Sequence, residues 1–202
     1  VDAGPDRTVN EGEQFNLTAT ASDPGSADVL SFAWDFSFDG SDFHEEATGP
    51  SVNWTYPDGP ATYVVALRVR DDDYPYPTSG GGEVGESMDT LQVTVNNVPP
   101  IAEAGGPYTG VEGQPIALSG TAVDVPADAL TYEWDLDDDG TFDVAGQTVT
   151  TVWNQAGVYK VTLRVTDDDG GIGLDEAWVT VNNAPPTAEA GGPYSGDEGG
   201  PI

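Results

Sequence analysis

The stretch Ala156-Gly157-Val158-Tyr159-Lys160-Val161-Thr162-Leu163-Arg164-Val165-Thr166-Asp167 decides the fold of this chain. From Tyr159 onward every second residue is apolar (Tyr159, Val161, Leu163, Val165), and Lys, Thr and Arg stand between them. A period of two sends alternate side chains to opposite faces of a strand, so one face is buried and the other meets water. Tyr63, Val65, Leu67 and Val69 carry the same pattern earlier in the chain.

Moving outward, the whole sequence says the same thing twice and begins a third time. Val9-Asn10-Glu11-Gly12 returns as Val111-Glu112-Gly113, Trp34-Asp35 as Trp134-Asp135, and Leu67-Arg68-Val69 as Leu163-Arg164-Val165. Val93-Thr94-Val95-Asn96-Asn97-Val98-Pro99-Pro100 returns as Val179-Thr180-Val181-Asn182-Asn183-Ala184-Pro185-Pro186. Ala102-Glu103-Ala104-Gly105-Gly106-Pro107-Tyr108 reappears as Ala188-Glu189-Ala190-Gly191-Gly192-Pro193-Tyr194. Such self-similarity marks an array of modules. The expected units are residues 1–97, residues 98–184, and residues 185–202 as a linker and first strand of a truncated third repeat. On this reading the chain is a window cut from a longer array. The apolar residues after Pro185 must lie exposed, lean on the second repeat, or complete a partner's sheet by strand addition.

The other apolar runs also alternate. Phe15, Leu17, Ala19 and Ala21 match Ile116, Leu118, Gly120 and Ala122; Leu30, Phe32, Trp34 and Phe36 match Leu130, Tyr132, Trp134 and Leu136; Leu91, Val93 and Val95 match Ala177, Val179 and Val181. No segment carries a helical period. The pattern predicts an all-β chain of tandem immunoglobulin-like sandwiches, about seven strands each, joined end to end by short Pro-rich linkers. Trp34 and Trp134 are expected to plug the space between the sheets, and Tyr63 and Tyr159 to close tyrosine corners. Residues 71–90 of the first repeat, which include Tyr74 and Tyr76, read as an enlarged loop.

Composition narrows the function. The 202 residues hold 36 acids against five bases, for a net charge of −31. Binding nucleic acid or an anionic membrane surface requires clustered Lys and Arg, so neither is an expected partner. A charge this far from zero repels itself in the compact state, so bound cations or high salt must offset it. There is no cysteine, and His44 is the only histidine. No nucleophile elbow, phosphate loop or zinc pattern is present, and a narrow sandwich offers no cleft for paired catalytic carboxylates. A non-enzyme is expected.

These residues resemble the PKD (polycystic kidney disease) domain. The family's hallmark Trp-Asp-Phe-Gly-Asp-Gly is approximated by Trp34-Asp35-Phe36-Ser37-Phe38-Asp39-Gly40 and by Trp134-Asp135-Leu136-Asp137-Asp138-Asp139-Gly140, each one residue longer. Its Pro-Gly-x-Tyr-x-Val-x-Leu-x-Val is approximated by the stretch from Ala156 to Val165; the first repeat lacks the Pro-Gly before its tyrosine. The resemblance implies a non-catalytic, immunoglobulin-like spacer or interaction module, common in tandem outside cells, and no one ligand.

The acids crowd into a few loops, where like charges repel unless a cation joins them. Asp135-x-Asp137-x-Asp139-Gly140-x-x-Asp143 reproduces positions 1, 3, 5, 6 and 9 of an EF-hand calcium loop without its position-12 glutamate. The first repeat keeps Asp35 and Asp39. The bland alternative is that Asp135 and Asp139 cap a turn. A second candidate lies at the opposite pole, where immunoglobulin-like topology gathers Asp167, Asp168 and Asp169 with Asp124 and Glu103, and in the first repeat Asp71, Asp72 and Asp73 with Asp23. A cation there would bridge the linker residues Asn96 and Asn97.

The leading expectation is therefore an extracellular or cell-surface array of calcium-stiffened spacers. Its partners are neighbouring repeats, other copies of the protein or cell-surface polysaccharide. The alternative is an accessory polysaccharide-docking module of a secreted hydrolase, with Trp178, Trp54, Tyr74 and Tyr76 as candidate platforms. Salt adaptation is disfavoured because outward strand positions are mostly Thr, Ser, Asn and Gln. The sequons Asn16-Leu17-Thr18 and Asn53-Trp54-Thr55 permit glycosylation.

Overall fold

A computed structural model describes residues 1–24, 28–72, 85–193, 195–196 and 198. Asp73, Tyr74 and Tyr76 lie outside them. Every element among the described residues is a strand. The first module comprises β1 (Arg7–Asn10), β2 (Gln14–Thr18), β3 (Ser31–Asp35), β4 (Ala47–Thr48), β5 (Ser51–Thr55), β6 (Ala61–Arg70) and β7 (Glu86–Asn96). The second comprises β8 (Ile101–Glu103), β9 (Tyr108–Val111), β10 (Pro115–Ser119), β11 (Thr121–Val123), β12 (Thr131–Asp135), β13 (Val144–Ala145), β14 (Thr148–Val152), β15 (Gly157–Thr166) and β16 (Ile172–Asn182). Residues 185–193 are exposed and form no strand.

Each module sets a five-stranded sheet against smaller pairs. The orders β1-β7-β6-β3-β4 and β9-β16-β15-β12-β13 are the same arrangement twice. In both, the first strand runs parallel to the last, with Arg7 beside Val93 and Tyr108 beside Val179, while the remaining neighbours are antiparallel. The facing layer is β2 with β5 in the first module and β10 with β14, beside β8 with β11, in the second.

The alternation read from the sequence is the alternation of burial. Val161, Leu163 and Val165 of β15 are fully buried, and Val93, Val95, Val179 and Val181 line the cores from β7 and β16. Trp34 and Trp134 sit between the layers, fully buried. A buried indole needs a partner for its N–H. Trp34 donates to the Gly49 carbonyl at 2.9 Å and Trp134 to that of Gly146 at 3.1 Å.

The two modules differ at the tyrosines. The Tyr159 hydroxyl donates to the Gln155 carbonyl at 2.9 Å, closing the expected corner. Tyr63 instead stacks on Tyr56 at 4.0 Å, and Tyr56 donates to the Phe36 carbonyl at 2.6 Å. Burial, with Tyr63, Glu46 and Asp35 nearby, pushes the Tyr56 hydroxyl well above its ordinary value. Trp54 belongs to this aromatic column, stacked on Phe36 at 3.9 Å, and is no open platform.

Candidate metal site at the module junction

Local backbone bonding brings the junction together. The Glu11 N–H donates to the Asn96 carbonyl at 3.0 Å and Gly12 N–H to that of Tyr56 at 2.8 Å, which folds the turn after β1 onto the far end of the first module. The Glu11 carboxylate is buried there and accepts from Gly59 N–H at 2.7 Å and from Val98 N–H, the start of the linker, at 2.6 Å. One acidic side chain thus ties a strand turn, the loop before β6 and the outgoing chain. Gly12 has φ +68°, and a Cβ on it would stand 2.9 Å from the Val125 side chain of the second module.

From the other side, the β15–β16 turn and the β11–β12 loop meet as expected. Asp167 is buried; its Oδ1 accepts from Asp169 N–H at 3.0 Å and Gly171 N–H at 2.7 Å, and its Oδ2 accepts from Asn97 Nδ2 at 3.1 Å. Asp168 Oδ1 accepts from Ala129 N–H at 2.9 Å and so fastens the two loops to each other. Gly171 and Gly173 leave room for the linker: a Cβ on Gly171 would meet Pro99, and one on Gly173 would meet the Pro100 carbonyl.

Two groups of carboxylates result. Asp124, Asp128 and Asp167 each bring an oxygen within 4.8 Å of the others, and so do Glu11, Asp58, Asp128 and Asp169. Both oxygens of Asp128, Oδ2 of Asp124 and Oδ1 of Asn97 are shut off from solvent and accept no hydrogen bond. Desolvation, with Glu11, Asp124, Asp167 and Asp168 around it, pushes the Asp128 carboxyl up to about 6. Desolvation, then Asp58 and Asp168, raises Asp169 as well. An uncompensated buried acceptor costs about 1–3 kcal/mol, and more when it is charged. Hard oxygen donors without protein partners are what a cation such as Ca²⁺ takes up.

Sequence reasoning placed Asp124, Asp167, Asp169 and Asn97 here, and the structure brings them together. Asp168 fastens the β11–β12 loop beside them, Glu103 joins neither group, and Asn96 contributes its backbone carbonyl to Glu11. Glu11, Asp58 and Asp128 were missed. Glu11 had a signal, because it recurs as Glu112, whose carboxylate accepts from Ala156 N–H at 2.7 Å and Ala184 N–H at 3.0 Å in the same way. Asp58 had none, since Gln155 stands at the matching place.

The loop after Trp134 is mainly a capped turn. Asp135 Oδ1 accepts from Asp137 and Asp138 N–H at 3.3 and 2.8 Å, and its Oδ2 from Gly140 N–H at 2.9 Å. Asp139 caps Thr141, and Asp143 accepts from Leu136 N–H. Asp135, Asp137 and Asp143 still place oxygens within 4.8 Å of one another, without Asp139. Burial, then Asp139, Asp143 and Asp135, raises the Asp137 carboxyl. In the first module Asp35 accepts from Ser37 and His44 N–H, and Asp39 from Ser41, whose hydroxyl holds Asp39 below the usual carboxylate range. At that module's outer pole Asp72 Oδ1 accepts from Val29 N–H at 2.9 Å, Asp71 Oδ1 is shielded without a partner, and Asp23 lines the same hollow. Trp178 is 53% exposed, across from Lys160 on β15.

The family model described as the PKD domain matches residues 1–76 and 97–181. Among solved structures, the PKD1 domain of Vibrio anguillarum Epp is 23% identical, aligned over 44% of this chain and all of that one, with a TM-score of 0.37. The PKD domain of an M14-like peptidase from a Thermoplasmatales archaeon is 23% identical over 43% of this chain and 99% of its own, with a TM-score of 0.36. A structure described as a carbohydrate-binding module of the beta-sandwich superfamily is 26% identical over 44% of this chain, with a TM-score of 0.38. The match spans 36% of that last chain's length.

Proposed function

The chain belongs to the PKD domain family, whose members are typically non-catalytic extracellular or cell-surface modules, and from that premise we propose that it works as a calcium-stiffened spacer. Calcium at the junction would join Glu11 and Asp58 of the first module to Asp124, Asp128 and Asp167 of the second, holding neighbours in line. The observation that carries this reading is the set of shielded, unpartnered oxygens on Asp128, Asp124 and Asn97. They lie where two modules meet, so filling them couples the modules.

The residues fit the ion. Ca²⁺ takes six to eight oxygens in flexible geometry, and the junction offers carboxylates from both modules plus the Asn97 amide oxygen. Extracellular calcium modules bind with Kd of about 10⁻⁴–10⁻³ M. At ten times its Kd an ion adds about 1.4 kcal/mol, enough to offset local repulsion but not to create the fold. The sandwiches stand on their cores. The Asp135–Asp143 loop is a weaker candidate, because none of its carboxylate oxygens is both shielded from solvent and without a partner.

Thermal melting and small-angle scattering, with calcium and then with chelator, test the proposal. Stabilisation together with a longer, narrower distance distribution supports it; identical curves refute it. Polysaccharide docking keeps one favouring observation, the exposed Trp178 ring. Gln92 occupies its place in the first module, so such docking would not repeat along the array. Trp178→Ala abolishing retention on a polysaccharide gel would favour this second role.

A further inference from the structure

We propose that the outer face of β15 and β16 is a contact surface for a second copy of this chain, paired about a two-fold axis that runs along the strands. This goes beyond the calcium-stiffened spacer and does not depend on it. The inward residues of the two strands, among them Val161, Leu163, Val179 and Val181, fill the core. The alternate, outward positions carry Val158, Ile172, Leu174 and Trp178, which are 64, 52, 60 and 53% exposed. Single apolar side chains on a surface need no explanation, but four on two paired strands make a patch, and such patches mark contact sites.

Charge identifies the occupant. The chain carries −31, so two copies repel wherever acid faces acid. Of its five bases, Arg7 stands on the edge strand β1; Arg68 and Arg70 lie on β6, and Lys160 and Arg164 on β15, the central strands of the two large sheets. On the outer face of the second module Lys160 lies across from Trp178 and Arg164 across from Leu174, with Glu176 between those two on β16. This patch therefore holds both signs of charge beside its apolar groups.

A two-fold contact sets residue i against j and j against i, so a face with both signs complements itself. An axis along the strands lays β15 of one copy over β16 of the other. Lys160 and Arg164 then flank Glu176 of the second copy, and the Lys160 ammonium comes over its Trp178 ring, a cation–π arrangement. The cations are held ready for this. Lys160 bridges Asp138 at 2.7 Å and Glu176 at 3.0 Å, while Arg164 pairs with Glu133 at 2.6 Å and stacks on Phe142 at 3.8 Å. Side chains already ordered lose less freedom on association.

Size sets the strength. The strands are ten and eleven residues long, so with β12 beside them the face measures about 34 by 14 Å. Two such faces bury about 1,000 Å², at the lower end for a specific contact, so the pairing is weak and reversible. The first module does not repeat the patch: Glu86, Met88, Thr90 and Gln92 stand where Ile172, Leu174, Glu176 and Trp178 stand in the second. The contact thus joins two chains at one module.

Sedimentation velocity of the full 202-residue chain, at physiological salt and up to about 1 mM protein, tests this. The expected result is a concentration-dependent dimer that persists in chelator, because none of the junction carboxylates belongs to the face. Trp178→Glu and Leu174→Glu, both at exposed positions, should each raise the dimer dissociation constant at least tenfold. Val152→Glu, which adds the same charge at an exposed position on β14 of the opposite layer, should leave it within twofold. Lys160→Glu and Glu176→Lys should each weaken self-association, and an equimolar mixture of the two should restore it by pairing unlike copies. A chain that stays monomeric throughout overturns the proposal, and does so in favour of polysaccharide docking if Trp178 still governs retention on a gel. Equal effects of Val152→Glu and Trp178→Glu, or a mixture no more associated than its components, also overturn it. Each of these failures leaves the calcium reading intact, since that is judged by the response to calcium and chelator.

Discussion

At Asp128 burial, charge and geometry oppose one another. Its oxygens are removed from water, acids surround it, and no donor compensates. Its folded value of about 6 lies above the ordinary carboxylate value of 3.8. Between those values the folded state holds a proton that the unfolded chain has lost, so without a cation stability falls as pH rises through that window. Calorimetry in chelator should show the melting temperature decreasing from about pH 4 to pH 6. Saturating calcium should remove the decrease, because the ion replaces the proton. At the same scale, Asp128→Asn should raise the melting temperature in chelator while losing most of the roughly 1.4 kcal/mol that calcium at ten times its Kd adds to the parent. A calcium increment equal to the parent's would contradict the assignment.

Elements carry a different set of consequences. The start of β16 is a shelf: Gly171-Ile172-Gly173 lets the linker backbone pass where side chains would stand. Gly173→Ala drives a methyl into the Pro100 carbonyl. The cost should be about 1–3 kcal/mol, the range for overpacking, and should fall on the junction rather than on either core. Differential scanning calorimetry should show one parental transition dividing into two. In the core, Trp134 is fully buried and its indole N–H is satisfied. Trp134→Ala should cost about 3–5 kcal/mol in urea denaturation, and calcium binding at the junction should persist only while the second module, which supplies Asp124, Asp128 and Asp167, stays folded.

For the whole molecule, the prediction concerns shape. With its shared carboxylates neutralised the pair of modules should be a rod; in chelator, repulsion across the junction should widen the distribution of interdomain angles. Small-angle scattering checks this directly, and salt provides a control. Monovalent salt screens repulsion at a Debye length of about 8–10 Å at physiological strength but does not bridge ligands. Sodium chloride should therefore reproduce little of the calcium effect.

Much of the fold was legible in the chain itself. Alternation at Tyr159, Val161, Leu163 and Val165 identifies a strand with one wet face, and its recurrence at Tyr63 through Val69 identifies a second module. These are local rules, set by backbone period and solvent. The tyrosine corner at Tyr159 followed in the same way, whereas Tyr63 was diverted because Tyr56, distant in hydrogen-bonding pattern though near in sequence, offered a ring to stack on. The candidate site was only half legible. Asp124, Asp167 and Asp169 could be placed by topology, whereas Asp135 and Asp139, which match a calcium pattern, also cap their own turn, since N–H groups close in sequence reach these carboxylates with little loss of chain freedom. The converging of Glu11 and Asp58 from one module with Asp128 from the next depends on how two bodies meet. No spacing within either module encodes that, so the acids were determined by the sequence and their meeting by tertiary structure alone.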